Sequence, residues 1–297
     1  MIENKNVVTG RIIKGIGGFY YVKTDDAIIE CRARGKFRKD ELSPIVGDIV
    51  DVTLSGESTG QVSKIHERKN FLIRPGVANV DMLVLVSAAK SPLPDMLLID
   101  KLLVIAKSRG IDSVICLNKT DLASLDEAQN FMSVYEKASY PCIMASAKTG
   151  EGVGEIQKLI KGKTVAFAGL SGVGKSSLLK RITGVDLETG DVSKIQRGKH
   201  TTRHVELISA ADALVFDTPG FSRLEADEIR ADELWQYFPE IASLKGECKF
   251  RTCNHIGEKG CAVKEAVDSG AISQSRYESY TTLYGRLKEI KDWERKD

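Results

Sequence analysis

With 297 residues, 42% apolar and 28% charged side chains and a net charge of +2, the chain is too long for one small domain and too apolar to be disordered. Its near-neutral balance also excludes nucleic-acid binding through bulk charge, so any such surface must come from local clusters. Apolar runs stop well short of the roughly 20 residues a bilayer requires, MIENKNVVTG lacks a secretory layout, and six cysteines are too few for a disulfide scaffold; a soluble cytoplasmic protein is expected.

Residues 1–68 carry short alternating runs (VVTGRII, FYYVKT, AIIECRA, GDIVDVTL, GQVSKI) punctuated by Gly, Asp, Ser and Pro, and no long helical pattern interrupts them. This predicts a small closed barrel, for which the oligonucleotide-binding (OB) fold is the natural candidate; a barrel that only packs on its neighbour is the alternative. Within CRARGKFRK, strand spacing would put Arg32, Arg34, Lys36 and Arg38 on one face and Phe37 on the other, with Lys39 following. Cys31, Cys116 and Cys142 lie in apolar runs and read as reduced core residues.

From residue 69 to 222 strands and helices alternate, the pattern of a mostly parallel sheet covered on both faces. DMLVLVSAA predicts a buried strand, DMLLIDKLLVIAKSRG a helix capped by Asp95 and ended by Gly110, and DSVICLN a second strand. At its end stands Asn118-Lys119-Thr120-Asp121. A carboxylate at Asp121 accepts both guanine N1–H and N2–H₂, a pairing adenine does not offer; Asn118 is expected to support O6/N7 and neighbouring backbone, and the Lys119 stem to lie along the base. Alone, such a tetrad is as readily a turn. LDEAQNFMSVYEKA reads as a helix and PCIMAS as a strand, after which Ser146, Ala147 and Lys148 are expected to offer backbone N–H groups to guanine O6.

A further helix, GVGEIQKLI, and strand, KTVAFAG, lead to Gly169-Leu170-Ser171-Gly172-Val173-Gly174-Lys175-Ser176, followed by Ser177 and a helix. The glycines let amides wrap phosphate oxygens at a helix N-terminus; Lys175 is expected at the β- and γ-phosphates and Ser176 on Mg²⁺. The polar, basic stretch GDVSKIQRGKHTTRH suits a loop ordered by the γ-phosphate, with Thr202, or alternatively Thr201, on Mg²⁺. Strands HVELI and ALVFD follow; Asp217-Thr218-Pro219-Gly220 then places a carboxylate for Mg²⁺ and the Gly220 amide for the γ-phosphate.

Residues 223–297 are helix-prone and contain Cys248, Cys253, His255 and Cys261, a Cys-x4-Cys-x-His-x5-Cys set that predicts one closed, structural Zn²⁺ site. Tyr277, Tyr280, Tyr284 and Leu287, widened by Leu283 and Ile290, form a helical stripe expected to pack on that knuckle rather than stack on RNA.

The base reader precedes the phosphate loop, the reverse of an ordinary guanine-nucleotide switch. Ends of compact domains lie near one another, so rejoining them and cutting between sensor and base reader preserves the core. Taken together, these motifs resemble the ribosome-small-subunit-dependent GTPase A (RsgA) family over the whole chain, including GGFYYV and RPGVANVD. The resemblance implies a multidomain protein: an OB barrel (1–68), a circularly permuted α/β P-loop GTPase domain (69–222) and a mainly α zinc-binding domain (223–297). It further implies GTP hydrolysis to GDP stimulated by the small ribosomal subunit and its 16S rRNA, late maturation of that subunit, and a monomer without membrane or DNA partners. Phe221 stands where many switches carry a water-orienting Gln, so unaided hydrolysis should be slow; His200 is the nearest mobile-loop side chain to position water, and Lys194, Arg197, Lys199 and Arg203 suit phosphate contact. A phosphotransferase acting on a small molecule, or an RNA-binding module with a structural nucleotide, are the alternatives.

Overall fold

The structure, a computed structural model, describes residues 7–33, 37, 43–73, 75–184, 205–210, 212–217 (backbone alone for Asp217), 224 and 226–291. Two compact units make up the chain. One comprises Met1–Asp81, Ile160–Ala166 and Asp186–Phe221, the other Met82–Leu159, Phe167–Val185 and Ser222–Asp297. Among the described residues no helix is long and apolar enough to cross a membrane.

In the first unit, β1 (Val7–Ile16), β2 (Phe19–Lys23), β3 (Ile28–Ala33), β4 (Ile49–Leu54) and β5 (Thr59–Ile65) bury one face each. Alternation makes this possible: Ile29 and Cys31 of β3 and Val50 and Val52 of β4 point inward while their neighbours do not. Antiparallel pairs β1–β2, β2–β3, β4–β5 and β1–β4 with a parallel β3–β5 pair close the five strands into a barrel without a free edge. Ile12, Val22, Ile29, Cys31, Val50, Val52 and Val62 fill it. Burial pushes the thiols of Cys31, Cys116 and Cys142 up to about 11, 12 and 12, and all three are free, as their apolar surroundings predict.

Of the expected basic face, Arg32 is exposed, with its guanidinium carbon 4.5 Å from the Phe19 ring centre, and Phe37 is buried. Arg34, Lys36, Arg38 and Lys39 lie outside the described residues. A hairpin, β6 (Phe71–Ile73) and β7 (Gly76–Ala78), follows the barrel. Asp48 is fully buried and held by Arg68 through Nε–Oδ1 at 2.7 Å and an Nη2–Oδ2 bond at 2.9 Å, and it also accepts the Ile45 amide at 2.8 Å.

In the second unit, β8 (Met82–Ala88), β9 (Asp112–Asn118) and β10 (Cys142–Met144) run parallel. β8 is buried along its whole length, which explains an unbroken apolar run instead of alternation. Helix α1 (Met96–Ser108) is capped by the Asp95 carboxylate on the Leu98 amide, and Gly110 follows it at φ 65°. α2 (Leu125–Glu136) opens with a reciprocal Ser124–Glu127 capping box, and α3 (Val153–Ile160) follows β10. β11 (Thr164–Ala168) starts in the first unit, where Thr164, Val165 and Ala166 pair in parallel with β13 (Ala213–Asp217), and β12 (Glu206–Ala210) of that same first unit is antiparallel to β13.

The second unit also holds α4 (Lys175–Thr183), α5 (Pro239–Ala242), α6 (Ala262–Asp268) and α7 (Gln274–Glu289). On α7 the expected stripe faces inward, with Tyr280, Leu283 and Leu287 buried and Tyr277 and Tyr284 half-buried. An ionic cluster that helical patterning did not announce lies beside it. Arg276, 1% exposed, donates to Asp100 of α1 at 2.6 Å and to both Glu240 oxygens at 2.7 and 3.2 Å, with its guanidinium over the Phe238 ring.

Candidate functional site

The phosphate loop leaves β11 at Gly169 and enters α4 at Lys175. Gly169 passes the Val86 carbonyl so closely that no Cβ fits, and Gly174, at φ 91°, presses on the Asn118 side-chain amide. Lys175 Nζ folds over the loop to donate to Gly169 O at 2.8 Å and Leu170 O at 2.6 Å, and burial lowers its pKa. Val173 is buried; Ser171, Gly172, Ser176 and Ser177 are exposed, the two serines after Lys175 on the first turn of α4. A glycine-rich turn, a helix N-terminus and an ammonium group in one place suit a polyphosphate.

The early tetrad sits against this loop. Lys119, itself at φ 60°, donates from Nζ to Gly172 O at 2.7 Å and to Ser91 O. Asn118, 1% exposed, donates from Nδ2 to Val173 O at 2.8 Å and accepts the Ala147 amide on Oδ1 at 3.0 Å. Asp121 Oδ1 accepts the Ser146 hydroxyl at 2.7 Å, and Lys148 Nζ lies 3.8 Å from Oδ2. Residues far apart in the chain, 118–121, 146–148 and 169–175, therefore form one cluster.

Asn118 braces neighbouring backbone with both ends of its amide, as expected. Two details differ from the sequence reading. The Ser146 and Ala147 amides bond to Glu151 O and Asn118 Oδ1. The Lys148 amide is the one of the three without such a bond among the described residues. Arg181 was missed altogether: from α4 it donates to Ala147 O and Lys148 O, each at 3.0 Å, and fixes the turn that presents that amide. Asp217 ends β13 opposite Glu206. His200, Thr201, Thr202, Gly220 and Phe221, with Lys194, Arg197, Lys199 and Arg203, lie outside the described residues.

The second cluster is Cys248, Cys253, His255 and Cys261, whose ligand atoms all lie within 4.8 Å of one another. His255 Nδ1 is 3.5 Å from both Cys248 Sγ and Cys261 Sγ. Tetrahedral zinc with bonds of about 2.0 and 2.3 Å sets its N and S ligands about 3.5 Å apart, so the donor set fits the ion in type and spacing. Burial lowers the His255 pKa, which favours the neutral imidazole a metal needs, and raises the thiols of Cys261 and of Cys253, the latter to about 12.

Two family models match stretches of the chain: the RsgA GTPase model at residues 65–227 and the RsgA N-terminal domain model at residues 9–62. The chain belongs to the RsgA GTPase family. Family members named small ribosomal subunit biogenesis GTPase RsgA include that of Caldanaerobacter subterraneus subsp. tengcongensis, 47% identical over 292 residues, covering 97% of this chain and 98% of its own. That of Alkaliphilus metalliredigens is 46% identical over 94% of this chain and 97% of its own. Among solved structures, YloQ, described as a circularly permuted GTPase, matches with a TM-score of 0.81 at 36% identity over 98% of each chain. YjeQ from Thermotoga maritima matches at 0.82 and 36% identity, covering 96% of this chain and 100% of its own.

Proposed function

We propose that this chain hydrolyses GTP to GDP and phosphate in late biogenesis of the small ribosomal subunit, with hydrolysis stimulated by that subunit. One observation carries the nucleotide part: Lys119 and Asn118 are bonded directly to the carbonyls of Gly172 and Val173, so the base reader and the phosphate loop flank one site despite their reversed order. In this reading Asp121 pairs with guanine N1–H and N2–H₂, the Lys119 stem lies along the base, and the turn of Ser146, Ala147 and Lys148 meets O6 chiefly through the Lys148 amide. The loop from Gly169 through Gly174, with Lys175, Ser176 and Ser177, wraps the phosphates.

Mg²⁺ would be held by the Ser176 hydroxyl with Asp217 and Thr202 (or Thr201), where it would neutralise charge between the β- and γ-phosphates. Gly220 senses the γ-phosphate, and His200 positions water on the bound subunit. Phe221, unable to orient water, keeps the unaided rate low. Cys248, Cys253, His255 and Cys261 hold one structural Zn²⁺ that leaves no open position for chemistry. The working segments are the barrel (1–68), the GTPase (69–222) and the metal-binding segment (223–297), acting as a cytoplasmic monomer. Barrel and metal segment contact 16S rRNA, and neither DNA nor a membrane is a partner.

Turnover measured with GTP and with ATP, each with and without purified small subunits, tests the proposal. Slow GTP hydrolysis that accelerates on adding subunits is expected, with little ATP turnover. Comparable ATP turnover, fast turnover with a small-molecule acceptor, or nucleotide binding without hydrolysis under any condition would overturn it.

A further inference from the structure

We propose that Glu258 is a positioning residue for the metal centre, fixing the Asn254–Gly257 turn so that the His255 imidazole already faces the three cysteines before an ion arrives. The inference rests on reading Cys248, Cys253, His255 and Cys261 as a metal site. His255 stands in a left-handed backbone conformation at φ 62°, which an ordinary side chain adopts only when its surroundings impose it. The imposing groups are all visible. Glu258 Oε1 accepts the Asn254 amide at 2.8 Å, and Oε2 accepts the Ile256 and Gly257 amides at 2.9 and 3.0 Å.

The opposite side of the same turn is held from α7. Tyr280 donates its hydroxyl to Asn254 O at 2.7 Å, and Tyr277 donates to His255 O at 2.8 Å and Ile256 O at 3.2 Å. Amides and carbonyls of the turn are therefore fixed by side chains that do not themselves bind metal. Their effect is to remove the ordering cost that a loose loop would charge against metal affinity. With three N–H groups on its two oxygens, the Glu258 carboxylate is engaged at both atoms, so it acts on the metal through the turn and not as a fifth ligand.

A carboxylate is the side chain this job requires. Glutamine has one acceptor oxygen and an NH₂ group; it keeps two of the three amides at most and turns a donor toward the third. The effect of substitution should therefore be graded, which a mere loop-closing role would not produce.

Metal competition against a chromophoric chelator, together with the Co²⁺ absorption spectrum of the full-length chain, tests this. Glu258→Ala should weaken metal binding about 100-fold and Glu258→Gln about tenfold, and both should give the parent's tetrahedral thiolate–imidazole spectrum once saturated. Tyr280→Phe should fall between the parent and Glu258→Ala. Parental affinity in Glu258→Gln, the variant least apt to perturb folding, overturns the proposal. A saturated spectrum that differs from the parent's also overturns it, because Glu258 would then be a ligand. A parent chain that binds no metal at all defeats instead the metal-site reading on which the proposal stands.

Discussion

In the proposed reading, Asp121 concentrates the specificity of the nucleotide site in one carboxylate. The Ser146 hydroxyl at 2.7 Å orients it, so both lone-pair directions that guanine needs are set before the base arrives. Replacing Asp121 by Asn turns an amide NH₂ toward guanine N–H donors, exchanging attraction for donor–donor conflict. Asp121→Asn should lower GDP affinity about 100-fold, since charged hydrogen bonds contribute about 1.5–3 kcal/mol each, and should raise affinity for xanthosine diphosphate, whose 2-oxo group accepts the new donor. Titration calorimetry with both nucleotides checks this, and unchanged preference for guanine would remove Asp121 from the site. The role proposed for Asp121 comes from the sequence alone, because a motif at a strand end carries its chemistry in residue type. Arg181 was not legible: beside Lys180 in the last turn of its helix it reads as an ordinary last-turn cation, and its grip on the Ala147 and Lys148 carbonyls exists only after folding.

At the scale of elements, period and capping chemistry were local and could be read directly. Alternation in β3 and β4, the Asp95 cap on α1 and the inward stripe on α7 all follow from side chains within a few positions of one another. Strand order was not local, and nothing in the run of β3 or β5 says that they pair in parallel to close the barrel. Asp48 belongs to this hidden class: GDIVDVTL looks like a turn entering a strand, yet the carboxylate is fully buried and depends on Arg68, from beyond β5. Removing the guanidinium strands a buried charge, so Arg68→Ala should destabilise the first unit by about 3–5 kcal/mol in chemical denaturation, whereas Asp48→Asn with Arg68→Met should recover much of that loss. A loss under 1 kcal/mol for Arg68→Ala would show that water reaches Asp48 readily.

The whole chain reads as three consecutive segments, whereas in space Ser222–Asp297 forms one compact unit with Met82–Leu159 and Phe167–Val185. No local pattern encodes that grouping, because one of its buried links joins Asp100, Glu240 and Arg276 from three distant stretches. Burial pushes the Asp100 carboxyl up, with the Arg276 charge opposing that rise. Arg276→Met leaves the rise unopposed and should cost about 3–5 kcal/mol at neutral pH, because two carboxylates are then buried without a cation. The sign of the pH dependence follows from linkage. A carboxyl whose folded pKa lies above its unfolded value binds the proton more tightly in the native state, so stability of the variant rises as pH falls from neutrality through the folded pKa and levels off near the unfolded value. Arg276→Met should therefore regain stability relative to the parent between neutral pH and the ordinary carboxylate range, measured by urea unfolding at several pH values. Adding Asp100→Asn and Glu240→Gln should abolish that dependence and restore part of the loss at neutral pH. If Arg276→Met instead tracks the parent at every pH, the cluster is not what fastens α7 to α1.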